Sequence, residues 1–147
     1  MKRFRFQLEP VLNFKQQTLD ALLVELDMIH GRVLSQEWKQ DEAFQRVADY
    51  AEKYSRKKQE GLTVTEALEF ESCQQVLQQR ARREDEELRK LRREEENKRE
   101  EVIEARKDTH SLEKLKDLRR SEYDTAAAKA EEKALDDLTA ARRAAAV

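Results

Sequence analysis

The sequence predicts an all-α protein, namely a long antiparallel two-helix coiled coil whose second helix overhangs the first. Charged residues make up 42 % of the 147-residue chain, whereas only two residues are glycine and one is proline. Helix-forming residues therefore dominate and turn-forming residues are scarce. Apolar residues recur at heptad spacing, which is typical of helices that bury a narrow seam. A single short segment, near Gly61, carries a strong helix-breaking signal.

The first two predicted elements are an extended strip over residues 1–9 and a helix over residues 10–59. Phe4, Phe6 and Leu8 recur at every second position, which is the period of an extended segment. Pro10 suits the first helical turn, where its missing N–H is not needed. Two core positions of a heptad then repeat without a break. They hold Leu12, Leu19, Leu26, Val33, Gln40, Val47 and Tyr54, and Lys15, Leu22, Ile29, Gln36, Ala43, Tyr50 and Lys57.

A short turn over residues 60–63 is predicted to reverse the chain. Gly61 suits the position after a helix end, and three basic residues precede it, where cations oppose the negative end of the helix dipole. Thr63 and Glu66 have the spacing of a capping box at the start of the next helix. Because short connections join antiparallel neighbours, we expect a helical hairpin.

The second helix is predicted to form the coiled coil over residues 64–118 and to continue over residues 119–147 as an overhanging, alanine-rich end, frayed at its C-terminus. Alanine is the best helix former and leaves a thin helix. The predicted seam positions are Leu77, Ala81, Glu84, Leu88, Leu91, Glu95, Lys98, Val102, Ala105, Thr109 and Leu112.

The position of the turn also predicts which residues face each other. Phe4, Phe6 and Leu8 should lie beside Leu115 and Leu118, so that the N-terminal strip joins the two termini. Tyr54 should face Leu68 near the turn, where Tyr50, Phe70, Cys73 and Leu77 complete an apolar cluster. We interpret Cys73 as a small seam residue.

Charge and composition exclude several functions. The net charge is −2, with acidic and basic residues interspersed, so no positive surface is expected to bind nucleic acid. No stretch approaches the roughly 20 apolar residues that span a bilayer, and the basic N-terminus lacks the apolar core of a signal peptide. We therefore expect a cytoplasmic protein without membrane insertion. Neither catalytic residues, a metal site nor a cofactor site is predicted, so an enzyme is not expected.

Three large apolar residues, Leu34, Trp38 and Phe44, fall outside the heptad positions of the first helix. One interpretation is a docking site on its outer face, since an uncovered tryptophan on a charged coiled coil lowers solubility. The alternative is a local shift of register around Gln36 and Gln40 that turns Trp38 inward.

Four segments of the chain resemble the FliJ family of bacterial flagellar type III export proteins. They are "FRFQLEPVLNFKQQ" at the N-terminus, "DYAEKY" before the turn, "LEFESCQQVL" after it, and "LEKLKDLRRSEYDTAAAKAEEKALDDL" near the C-terminus. The resemblance implies an antiparallel coiled coil similar to the central stalk of rotary ATPases. It also implies a location at the inner face of the cell membrane at the flagellar base, with peripheral attachment.

The resemblance further implies the partners. The end that carries both termini would bind the hexameric export ATPase FliI, through Phe4, Phe6, Leu8, Leu115, Leu118 and Tyr123. The region near the turn would bind the export gate protein FlhA, through Tyr50, Tyr54, Cys73 and Leu77. Export chaperones would be further partners, and the free chain would be a monomer.

Two other functions fit the same architecture. The chain could be the stalk of a virulence type III system or of a rotary ATPase, or a structural coiled coil that associates with itself. Recovery of the corresponding partner subunits, or a tight homo-oligomer in sedimentation, would identify these alternatives.

Overall fold

The computed structural model describes residues 2–146 and places two α-helices in them, α1 over Glu9–Glu60 and α2 over Val64–Ala145. The helices contain 52 and 82 residues and pack against each other as an antiparallel hairpin. Residues 2–146 contain no β-strand. The predicted fold class is therefore confirmed. The predicted strip begins at residue 1 and the predicted overhang ends at residue 147, and both of these terminal residues lie outside the described part of the chain.

Residues 61–63 connect the helices, and each of the two helix ends has its own stop or start signal. Gly61 adopts a φ of 107°, a left-handed conformation that disfavours side chains, and its N–H donates to the Lys57 carbonyl at 3.0 Å. At the start of α2, the Glu66 N–H donates to the Thr63 hydroxyl oxygen at 3.2 Å. Thr63 thus satisfies one of the orphan donors of the first turn.

The heptad seam forms largely as the sequence predicts. Of the fourteen predicted core positions in α1, only Lys57 is exposed, and all eleven predicted positions in α2 are buried or half-buried. Two polar members find partners across the seam. The Gln36 side-chain amide donates to the Glu84 carbonyl at 3.1 Å, and that of Gln40 donates to Asp85 at 2.6 Å. These bonds offset the cost of burying amide groups.

The chain divides into two compact units. The central unit is Leu22–Glu101, and the terminal unit consists of the N-terminal residues up to Ala21 with the part of α2 from Val102 onward. In the central unit, Ile29, Val33, Leu88 and Leu91 form a cluster of buried side chains.

In the terminal unit, burial ends well before the C-terminus of α2. Leu12, Val102 and Thr109 are the buried residues, and the half-buried positions of α2 stop at Ala127. From residue 128 to residue 146 every side chain is exposed, although the helix continues to Ala145. This segment is rich in alanine, so local propensity sustains the helix where packing within the unit does not.

Candidate functional site

The N-terminal strip lies on α2 in the terminal unit. The rings of Phe4 and Tyr123 pack with centroids 5.6 Å apart and an interplanar angle of 50°. The Tyr123 hydroxyl donates to the backbone carbonyl of Lys2. At the start of α1, Lys116 Nζ lies 2.9 Å from Glu9 Oε2. An aromatic pair, a hydrogen bond and an ion pair therefore hold the strip against the helix.

The strip and α2 together line a groove of about 1020 Å³, which we call the terminal groove. The Arg120 guanidinium lies over the Phe4 ring, 5.9 Å from the centre of that ring. Aromatic and aliphatic side chains form the groove's apolar part, and its polar part is basic. Its lining residues are Lys2, Arg3, Phe4, Arg5, Phe6, Gln7, Leu8, Leu115, Arg119 and Tyr123. This chemistry complements an acidic segment that also carries apolar residues.

The strip follows a different row of α2 residues from the one expected. Leu115 lines the groove as predicted, but Leu118 is 56 % exposed and is not among the lining residues. The strip follows Leu115, Arg119 and Tyr123, which are four residues apart and share one face of the helix. Leu118 lies about 60° around the helix from Leu115 but about 140° from Tyr123. It is therefore outside the lining of the groove, and its contact with the strip stays a prediction.

Near the turn, Phe70 packs between two tyrosines of α1. Its ring stacks on Tyr54 with centroids 5.0 Å apart and lies 5.5 Å from Tyr50. Lys58 Nζ lies 4.0 Å from the centre of the Tyr54 ring. Leu68, the predicted neighbour of Tyr54, is 61 % exposed, so that pairing is wrong. Phe70, two residues further along α2, packs against Tyr54 instead, because its ring points into the seam between the helices.

Cys73 is exposed and is not the small seam residue that the sequence predicts. Its hydrogen bond with the Tyr50 hydroxyl, followed by burial of the phenol, raises the pKa of Tyr50 above its usual value. Tyr50 and Leu77 are half-buried, whereas Tyr54 is only 6 % exposed. A groove of about 320 Å³ lies beside them, lined by Arg46, Asp49, Tyr50, Lys53 and Leu77.

Trp38 points to the outside of α1. The side chains of Leu34 and Trp38 are 53 % and 66 % exposed, and the buried Gln36 keeps its partner on α2. The alternative of a register shift that buries Trp38 is therefore wrong. Phe44 is 49 % exposed but lies about 120° around the helix from Trp38. The three residues consequently do not form one patch.

Sequence reasoning missed two exposed apolar residues that share the face of Trp38. Val24 and Met28 are 60 % and 66 % exposed. Together with Gly31, Ser35 and Trp38 they follow heptad spacing, with steps of four and three residues. This heptad spacing is the sequence signal that identifies them. It is hard to recognise because the heptad of the helix–helix seam runs through the same stretch of α1.

Polar chemistry on the remaining surface is sparse. His30 Nδ1 lies 3.2 Å from Glu95 Oε2, which places the imidazole at the flank of the seam. Within residues 2–146, no group of three or more His, Cys, Asp or Glu side chains is arranged to hold a metal ion. Neither helix, within the same residues, has a stretch long and apolar enough to cross a bilayer.

The chain was compared with known proteins on three levels. Searches of curated proteins and of solved structures gave no significant match. A family model described as "Flagellar FliJ protein" matches residues 4–146, which is nearly the whole chain and includes most residues that line the terminal groove and the aromatic residues near the turn. The chain therefore belongs to the flagellar FliJ family and is a component related to flagellar protein export.

Proposed function

We propose that this chain is a non-enzymatic stalk of the flagellar export apparatus and that its terminal unit binds the ring of the hexameric export ATPase FliI. One observation carries the proposal: α2 continues as a helix beyond Ala127 to Ala145 with all of its side chains exposed. A single helix without a packing partner, rich in small side chains, suits insertion into a narrow protein channel. Membership of the FliJ family supports the flagellar system as the source of that partner.

The exposed segment offers an apolar surface for the contact. Leu135 and Leu138 are 65 % and 53 % exposed and lie on one face of α2. With Glu131 and Ala134 they line a shallow groove of about 390 Å³. Because no residue of the terminal unit that the structure describes covers these leucines, their burial would contribute to binding rather than to folding.

Stimulation of ATP hydrolysis tests the proposal. The purified chain is added to the cognate FliI, and hydrolysis is compared for the native chain and for the double variant L135S/L138S. We expect the native chain to accelerate hydrolysis and the variant to lose most of that effect.

A matched control uses K133S/D136S, which places serine twice on the opposite face of the same helix segment. The control leaves the net charge and the leucine face unchanged, so it should stimulate FliI as the native chain does. Equal stimulation by all three proteins, or none by the native chain, would refute the ATPase stalk.

For the export gate protein FlhA, we propose a contact at the groove beside Tyr50 and Leu77. Cys73, which is exposed and raises the pKa of Tyr50, is included in this proposed contact as a neighbour of that tyrosine. Tyr54 is buried, so it supports this surface through Phe70 and does not touch the partner. Leu77→Ser should weaken binding of the chain to detergent-solubilised FlhA, whereas Val76→Ser, at an exposed neighbour outside the groove, should not.

Export chaperones are the third proposed class of partner. In this assignment the chain acts in the cytoplasm and attaches peripherally to the membrane through FlhA. A deletion strain supports the assignment if it lacks flagella and if the native chain, supplied in trans, restores them. Normal swimming of the deletion strain would refute the proposed role in flagellar export.

A further inference from the structure

An uncharged stripe runs along the exposed face of α1 in the central unit. It consists of Val24, Met28, Gly31, Ser35 and Trp38, and we call it the outer stripe. Its three large side chains are 60–66 % exposed. None of these five residues is charged, although charged residues make up 42 % of the chain. Heptad spacing without charge is the pattern of a helix-packing seam, yet no part of the central unit covers it.

Gly31 gives the stripe its shape. Gly31 lies in the interior of α1, its φ is not positive, and a Cβ built on it meets no atom within 4 Å. Alanine would therefore fit and would favour the helix more. Neither the backbone nor packing within the chain requires glycine here. Together with the small Ser35, it leaves a notch between Met28 and Trp38.

The two edges of the stripe carry opposite charge. Asp27 and Asp41 border one edge at heptad spacing, and neither has an ion pair within residues 2–146. The other edge carries Glu25, Arg32, Lys39 and Arg46 at seven-residue steps. Glu25, Arg32 and Arg46 form ion pairs with Lys98, Glu94 and Glu42, whereas Lys39 has no ion pair within residues 2–146. Beside Trp38 and Lys39 lies a recess of about 250 Å³, to which α2 contributes Arg80 and Glu84.

We propose that the outer stripe binds an amphipathic helix of another protein. A bulky apolar side chain of that helix would fill the notch at Gly31. Basic residues would run along the edge that carries Asp27 and Asp41, and acidic residues along the edge that carries Lys39 and Arg80. This arrangement buries the stripe and pairs charged side chains that form no ion pair within residues 2–146, namely Asp27, Asp41, Lys39 and Arg80.

A second copy of this chain is a poorer occupant. In parallel pairing, Gly31 would face Gly31 and leave an unfilled space at the centre of the contact. In antiparallel pairing, each edge would face its own equivalent, so that carboxylate would meet carboxylate and base would meet base. A different helix avoids both penalties.

Trp38 is the only tryptophan in the chain, so its fluorescence reports directly on the stripe. The probe is a synthetic helical peptide of three heptads with leucine at its core positions, lysine along one edge and glutamate along the other. Binding to the full-length chain should shift Trp38 emission to shorter wavelength and protect it from acrylamide. A peptide of the same composition whose leucines are scattered around the helix should leave the emission unchanged. Lack of binding by the first peptide would overturn the proposal.

Gly31→Leu tests the notch. The new side chain fills the space that the partner needs, so the peptide should bind at least about tenfold more weakly. Ser55→Leu, which adds leucine at an exposed position of α1 away from the stripe, is the matched control and should bind like the native chain. Equal affinity of Gly31→Leu and the native chain would contradict the proposed binding mode.

A cellular measurement connects the surface to its natural partner. Gly31→Leu should reduce swimming in a complemented deletion strain, whereas Ser55→Leu should not. Purified Gly31→Leu should still stimulate FliI, so failure of this proposal is distinguishable from failure of the ATPase stalk. A shift of Trp38 emission with chain concentration alone, together with a dimer in sedimentation, would replace the partner helix by a second copy and refute the proposal.

Discussion

The aromatic ring of Tyr54 in α1 stacks on that of Phe70 in α2, with centroids 5.0 Å apart and planes inclined by 18°. Tyr54 is 6 % exposed and is the last buried residue of α1 before the turn. The chain between Tyr54 and Phe70 contains the whole connection between the helices. This pair therefore fixes the register of the hairpin close to its turn.

Phe70→Ala should lower the free energy of unfolding by about 2 kcal/mol. This loss of stability is smaller than that for a fully buried phenylalanine because Phe70 is half-buried. Urea denaturation followed by circular dichroism measures the change. Leu68→Ala, two residues away and exposed, is the control and should stay within about 0.5 kcal/mol of the native chain. A similar loss in both variants would show that the stacked pair does not fix the register.

The two glycines should respond in opposite directions to the same substitution. Gly31→Ala should raise the free energy of unfolding by about 0.5–1 kcal/mol, because the helix gains propensity and the new Cβ meets no atom. Gly61→Ala should lower it by about 1 kcal/mol or more, since φ there is 107°. Thermal unfolding of the two variants and the native chain measures both changes in stability. Equal signs would contradict the explanation.

Tyr123→Ala should release the N-terminal strip. The substitution removes the ring that packs on Phe4 and the hydroxyl that bonds to the Lys2 carbonyl. A loss of about 1 kcal/mol corresponds to roughly fivefold faster tryptic cleavage after Arg5, since the cleavage site itself is unchanged. Mass spectrometry of timed digests gives the rate. Leu118→Ala, on the exposed side of the same helix, should be cleaved as slowly as the native chain.

Lys98 should stabilise the fold only up to strongly alkaline pH. Hydrogen bonds to Glu101 and Glu25 raise the pKa of Lys98 above its ordinary value of 10.5. Its contribution is therefore present below that value and is lost as the pH rises through the folded-state pKa. The difference in unfolding free energy between the native chain and Lys98→Met should be constant up to about pH 10 and shrink as the pH rises above 10.5. Lys90→Met, which lacks these ion pairs, should show no such trend.

The seam was predictable because heptad spacing alone decides which face of a helix is apolar. Even Gln36 and Gln40 were assigned correctly, since the positions on both sides of them keep the register. Their partners Glu84 and Asp85 make burial of the two amides tolerable. The hairpin also followed from one glycine and one threonine, because the chain has no other strong breaker.

Contacts that depend on a rotation of one element about another were not predictable from spacing. Leu118 and Arg119 are adjacent in sequence, yet only Arg119 lines the terminal groove, because a step of one residue turns the side chain by about 100°. The outer stripe was missed for a related reason. Two heptad series overlap in α1. The more apolar series forms the seam with α2, and it already accounts for the heptad pattern of the helix, so the second series does not stand out in the sequence.

The hydrogen bond between Tyr123 and Lys2 joins residues 121 positions apart in the chain. During synthesis at about 5–20 residues per second, Phe4 and Phe6 are made roughly 6–24 s before Tyr123. For that interval the aromatic residues of the strip have no partner within their own chain. The nascent protein therefore passes through a period in which the exposed aromatic residues of its N-terminus favour aggregation, and this period cannot end before Tyr123 has been made.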